Sequence, residues 1–231
     1  MKNILITGGT SGIGKTLVDS LENVNFDILS SKKNKNKKNK TYYECNLNDD
    51  SEIDKFINLI KSKENKYDGM VFSAGVTVPD KDELDFKNWE ETIKINFFSV
   101  SKIVSSLKTN ISKDGSLVLI SSIGGQLGFE NNPSYQISKA AIIQYTKSLS
   151  VDLAPNVRVN CIVPGYIKTN MTKKSFDEDH RRREISGRTL LNRWGEQEEV
   201  ASVIRFLLSN ESSYINGQTL NVDGGWTSKG I

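Results

Sequence analysis

The 231-residue chain carries 31 basic and 28 acidic residues, a formal net charge of +3, and 36% hydrophobic residues. That allows one α/β domain or two small ones with a sizeable core, and so mild a charge excess does not by itself imply nucleic acid. The single histidine, His180, and the distant cysteines Cys45 and Cys161 argue against a zinc site, a disulfide framework and a histidine-based triad. No run approaches the roughly 18 apolar residues of a membrane helix, and the short apolar start lacks a signal-peptide core, so the sequence reads as cytoplasmic.

Residues 3–7 form a short apolar strand that ends in Gly8-Gly9-Thr10-Ser11-Gly12-Ile13-Gly14. Ile13, Leu17, Val18 and Leu21 then recur at helical spacing. Residues 27–30 read as a second strand, followed by a polar Lys/Asn loop at 32–40 and a third strand at 42–47. A helix over 53–60 puts Ile53, Phe56, Ile57 and Ile60 on one face. A fourth strand, 69–73, is bounded by Ala74-Gly75, and a long helix runs from 89 to about 107. The fifth strand, 116–121, leads through a Gly- and Asn-rich loop to a helix from 134 to about 153. The sixth, 157–162, is closed by Pro164-Gly165, and a polar, irregular stretch covers 168–195. A helix over 196–208 begins with Glu196, Glu198 and Glu199, which favour its positive end. The last strand spans 218–222. Alternating strand and helix predict one domain over 1–231, a doubly wound parallel sheet with helices on both faces.

In such a sheet ligands bind beyond the carboxyl ends of the strands. The glycine turn stands there and opens a helix, whose free N–H groups and partial positive charge suit a phosphate. Gly8 permits the turn, Gly12 lets backbone approach a pyrophosphate, and Gly14 lets the helix pack on the strand. The spacing departs from the usual dinucleotide fingerprint, so position carries the argument.

Tyr135 and Lys139 share one helix face. A lysine beside a phenol favours the phenolate, and a tyrosine tuned in this way exchanges protons in carbonyl–alcohol chemistry. An isolated pair of this spacing also arises by chance. The flanking residues change the balance. Ser122 ends the fifth strand at the same sheet edge and offers a hydroxyl to a developing alkoxide. Asn96 interrupts an apolar helical segment, where its amide needs a partner, either a bound water or the core itself.

With these residues assembled, the chain resembles the short-chain dehydrogenase/reductase family along nearly its whole length. The matching stretches are residues 7–14, Ala74-Gly75, Asn96, Ser122, Tyr135 with Lys139, Pro164-Gly165 and residues 217–225. The resemblance implies a Rossmann-type seven-stranded parallel sheet in the order 3-2-1-4-5-6-7. It implies Tyr135 as general acid, Ser122 holding the carbonyl oxygen, and Lys139 on the nicotinamide ribose. Asn96 would position a water in a proton relay. The nicotinamide cofactor would lie on Gly8, Thr10, Ser11, Gly12, Ile13 and Gly14, with Ser31, Lys32, Asn46, Leu47, Ala74, Gly75, Tyr135 and Lys139 along it. Pro164, Gly165, Ile167 and Thr169 would cover it, and residues from about 168 to 195 would form a mobile lid. Three departures stand out. Ser73 replaces the usual Asn, Asn46 replaces an acidic adenine contact, and the helix between strands two and three gives way to the Lys/Asn loop.

Ser30-Ser31-Lys32-Lys33 ends the second strand without a carboxylate, which favours NADP(H) over NAD(H). The lid and the closing residues 217–225 are similar to those of 3-oxoacyl-carrier-protein reductases, implying a ketone or acyl-thioester substrate and an acidic acyl carrier protein as a possible partner. Lys113, Lys173 and the run Arg181-Arg182-Arg183 are candidates to meet it, or are simply solvated. A reductase of a modified sugar or other small hydroxy compound is the alternative enzyme reading, and a non-catalytic cofactor sensor the alternative of another class. The resemblance also implies a homotetramer or homodimer packed through the helices of Asn96 and Tyr135. No nucleic-acid or membrane partner is expected.

Overall fold

The strands follow from their burial. β1 (Lys2–Thr7) carries Ile4, Leu5 and Ile6, none more than 2% exposed. Near-continuous apolar runs suit parallel strands covered on both faces. β2 (Val24–Ser30), β4 (Tyr67–Phe72), β5 (Ile111–Ile120) and β6 (Val157–Pro164) share the pattern. β3 (Lys40–Glu44) and β7 (Thr219–Val222) are less buried and form the two edges. The structure, a computed structural model, describes residues 1–77 and 86–229. Its seven strands pair in parallel in the order β3-β2-β1-β4-β5-β6-β7, as the sequence implied.

Helices cover both faces. α1 (Gly12–Ser20) packs with α8 (Gln197–Leu207) over Ile6, Ile28, Val71 and Val118. On the other face, α2 (Asp50–Ser62), α4 (Ser99–Leu107) and α5 (Pro133–Asp152) cover Leu5, Met70, Leu117 and Val159. Asp49 caps α2 by accepting from the Ser51 N–H at 2.8 Å, and Glu196 and Glu199 form a reciprocal capping box on α8. Among the described residues no helix is long and apolar enough to cross a membrane.

Five local expectations are corrected. β2 begins at Val24 and β5 at Ile111, because polar residues, Asn25 in one and Ser112 to Asp114 in the other, interrupt the apolar run near their starts. The predicted long helix is α3 (Phe86–Ile93), a π-helical turn (Lys94–Phe98) and α4. Apolar periodicity runs through that break and conceals the wider turn. The stretch 168–195 contains α6 (Lys173–Asp177) and α7 (Asp179–Arg188), whose polar faces left no clear helical signal. β3 stops at Glu44, so Asn46 and Leu47 lie in the loop beyond it. Residues 31–39 hold no helix, as the sequence suggested. Lys37 and Lys40 pair their backbones, and Asn39 turns at φ 61°.

Candidate active site

The carboxyl ends of the strands open into one cleft of about 1110 Å³. Of the residues singled out from sequence, Gly8, Thr10, Ser11, Gly12, Ile13, Ser31, Asn46, Leu47, Ala74 and Gly75 line it. So do Ser122, Tyr135, Lys139, Pro164, Gly165, Ile167 and Thr169. Gly14, Lys32 and Asn96 do not.

The glycine turn fits a phosphate-bearing ligand. Gly12 adopts φ +54°, and a Cβ there would meet nothing closer than the Thr169 methyl at 3.9 Å. Backbone is therefore bare toward the cleft just where α1 presents its unbonded first-turn N–H groups. Gly14 acts behind the cleft: a Cβ on it would stand 2.4 Å from the Gly8 carbonyl oxygen. The Thr7 hydroxyl accepts from the Ala74 N–H at 3.2 Å and fixes the β4 loop against the turn.

At the adenosine end the lining residues Leu29, Ser30, Ser31, Cys45, Asn46 and Leu47 include no charge. Lys32 is exposed outside the cleft, its backbone N–H turned to the Ser30 hydroxyl at 3.2 Å. Asn46 uses its side-chain oxygen locally, accepting from the Asn48 N–H at 3.0 Å. Burial pushes the Cys45 thiol up to about 11, which leaves it unreactive at neutral pH.

Four residues converge at the other end. Tyr135, in the first turn of α5, is half-buried, with the Ser122 hydroxyl beside its phenol. Ser122 also accepts from the Gly124 N–H at 3.1 Å. Lys139 is only 5% exposed, and its ammonium donates to the Ile120 carbonyl at 3.0 Å and lies 5.7 Å from the Tyr135 ring centre. Ser121, the neighbour that spacing did not single out, donates to the Lys139 carbonyl at 2.7 Å and ties α5 to the end of β5.

One electrostatic expectation changes. Burial raises the Tyr135 phenol above its ordinary value, and the neighbouring Ser122 hydroxyl opposes this. Burial instead lowers Lys139 itself to about 8. The Asn96 amide is held by protein on both its oxygen and its nitrogen. Its oxygen accepts from the Val76 N–H at 2.8 Å, and its nitrogen donates to the Val76 carbonyl at 2.9 Å and the Ser138 hydroxyl at 3.0 Å. The side chain pins the β4 loop to α5.

Sequence reasoning missed the outer wall. Phe129, Glu130, Asn131, Asn132, Gln136, Tyr166, Glu184 and Arg188 line it, beside Arg181, which the sequence offers as a surface charge. Gln136 clamps its loop, accepting from the Phe129 N–H at 2.9 Å and donating to the Phe129 carbonyl at 2.7 Å. Its position next to Tyr135 was the only available signal. Tyr166 packs edge-on to Trp194 at 5.2 Å and against Trp226 at 5.1 Å.

The basic residues mostly serve neighbours. Lys173 pairs with Asp177 at 2.6 Å, Arg181 with Glu184 at 2.8 Å, and Arg182 with Asp179. Lys113 is misplaced as a cleft residue. It lies near the start of β5, roughly 23 Å from the cleft end at about 3.3 Å per residue.

A parallel sheet in this order, a glycine turn on α1 and a Ser–Tyr–Lys cluster at its carboxyl edge define a dinucleotide-dependent oxidoreductase architecture. The family whose model matches residues 10–227 is described as enoyl-(acyl carrier protein) reductase, and the chain belongs to the short-chain dehydrogenase/reductase family. It is 34% identical to a 3-oxoacyl-[acyl-carrier-protein] reductase of Thermotoga maritima, over 97% of each chain. It is 32% identical to a tropinone reductase homolog of Arabidopsis thaliana, over 100% of this chain and 94% of the other. Among solved structures it resembles a short chain dehydrogenase family protein from Francisella tularensis with a TM-score of 0.91, 27% identity and coverage of 99% and 100%. ElxO with NADP bound superposes with a TM-score of 0.88 at 30% identity, over 99% of this chain and 100% of that one.

Proposed function

We propose that the chain is a carbonyl reductase that prefers NADP(H) to NAD(H) and takes a 3-oxoacyl thioester as its best single substrate. The observation that carries this reading is the Tyr135 phenol beside Ser122, with the Lys139 ammonium 5.7 Å from its ring, in one cleft with the bare glycine turn. A bound nicotinamide supplies hydride to the carbonyl carbon. Tyr135 delivers the proton to the carbonyl oxygen, and its raised phenol stays protonated for that task at neutral pH. Ser122 donates to the same oxygen and supports the alkoxide as it forms. Lys139, cationic below about pH 8, adds positive charge beneath the phenol. Asn96 and Ser121 act by position, fixing the β4 loop and α5 around Lys139.

The NADP(H) preference rests on the uncharged end of β2, where Ser31 faces the cleft and no carboxylate stands to repel a 2′-phosphate. The NADP seen in ElxO accords with it. The thioester rests on the Thermotoga relative. An acidic carrier protein would have to meet lid residues such as Lys173 and Arg183, since Lys113 faces the wrong end of the sheet. Residues 168–195 act as the lid. Its ends are joined where Ile167 pairs with Gly195, and α6 within it has no buried residue. A cytoplasmic setting suits two free, buried cysteines.

A second reading, reduction of a small polyhydroxy compound, is favoured by the polar wall at Glu130, Asn131 and Asn132, where the buried Asn132 side-chain oxygen has no partner. The deciding experiment follows cofactor oxidation with an acetoacetyl thioester, NADPH and NADH side by side. Fast turnover with NADPH alone is expected. Tight NADPH binding without turnover would move the substrate to small oxo sugars, and equal use of both cofactors would remove the NADP(H) preference.

A further inference from the structure

Arg188 stands apart among the described arginines. Arg158, Arg181, Arg182, Arg183, Arg193 and Arg205 each donate to at least one protein oxygen. Arg188 makes one contact of note, its guanidinium carbon 5.3 Å from the centre of the Trp226 ring. It ends α7, is exposed, and lines the cleft. Trp226 is held from beneath, only 8% exposed and packed on Phe129 and Tyr166. A guanidinium held by a cation–π contact keeps its N–H donors available for the bidentate fork that matches a carboxylate or phosphate.

The surroundings add to the positive field. Lys229 donates to the Gly187 carbonyl, beside Arg188 in sequence, at 2.6 Å. Glu184 is occupied by Arg181, and Glu130 forms no ion pair with Arg188. Tyr166 touches Trp226 and lines the same cleft as Tyr135.

We propose that Arg188, seated on Trp226, binds an oxyanion on the substrate, so that the natural substrate is an oxo or hydroxy compound bearing a carboxylate or a phosphate group. The proposal rests on the carbonyl-reductase reading but not on the thioester.

The test uses matched pairs with NADPH: acetoacetate against methyl acetoacetate, and dihydroxyacetone phosphate against dihydroxyacetone. The wild-type chain should prefer the charged member of at least one pair. Arg188→Gln should raise KM for that member tenfold or more, leave the neutral member unchanged, and be partly rescued in Arg188→Lys. A rise of the same size for both members, or no preference in the wild type, overturns the proposal. Which pair responds separates carboxylate from phosphate. A binding arm reads Trp226 fluorescence with succinate or inorganic phosphate, without turnover. Saturable quenching lost in Arg188→Gln supports the anion site even if no ketone is reduced, in which case the reductase reading alone fails. No quenching by either anion removes the site.

Discussion

At the scale of single residues the proton donor is decisive. Tyr135→Phe removes only a hydroxyl from a packed ring, so cofactor affinity should persist while kcat falls by roughly 10²–10⁴-fold. Unchanged turnover would dismiss the proposed chemistry. Ser31→Asp places a carboxylate at the end of β2 and should weaken NADPH more than NADH; equal weakening would mean the ribose lies elsewhere. Lys139 offers a test with a sign. Burial lowers its folded value to about 8, so the folded state resists protonation below that pH and carries the full cost there. The cost fades as pH rises from about 8 toward the unfolded value near 10.5. Lys139→Met should therefore abolish turnover yet stabilise the fold by up to roughly 3 kcal/mol at pH 7, and by less at pH 9.5. Urea unfolding at both pH values measures this, and a gain that grows with pH would contradict it. In the wild type, kcat/KM for reduction should fall above about pH 8 as Lys139 loses its charge.

Elements set where those residues stand. α1 can sit on the end of β1 only because position 14 lacks a side chain, with the Gly8 carbonyl 2.4 Å from any Cβ placed there. Gly14→Ala must push the helix from the turn, at a cost of about 1–3 kcal/mol and with weaker cofactor binding. Thermal unfolding and a cofactor titration read both, and an unaltered Kd would show that the turn does not hold the cofactor. The π turn Lys94–Phe98 does comparable work for Asn96, delivering its amide to Val76 and Ser138. π turns occur disproportionately at functional sites, and this one lies behind Lys139. Sequence placed the asparagine in a helical segment, but missed its π turn, and the partners came from a loop twenty residues upstream and a helix forty-two residues downstream. No local pattern encodes that meeting.

For the whole molecule, the helices that position Asn96 and Tyr135 leave apolar side chains outside. Phe98 is 57% exposed and Ile137 49% exposed. We expect these faces to meet in a homo-oligomer, as the family resemblance implies. Sedimentation at micromolar concentration should report a dimer or tetramer, and Phe98→Lys should shift it toward smaller species; a monomeric wild type would end the expectation. The sequence by itself determined the alternation of strands and helices, the glycine turn and the Ser122, Tyr135 and Lys139 cluster, while the sheet order came through the family resemblance. The former rest on local signals, apolar strand runs and fixed spacings along one helix or at one strand end. Only the tertiary structure decided the outer wall of the cleft and the pairing of its charges. Lys113 reads as a cleft residue until the direction of β5 carries it to the far edge, and Arg181 reads as free charge until α7 brings Glu184 beside it. Arg188 is one of many basic residues until Trp226, thirty-eight positions away, comes to lie under it. Burial likewise decided the titration of Lys139, because desolvation depends on what packs around a group, and the packing is made by segments remote in the chain.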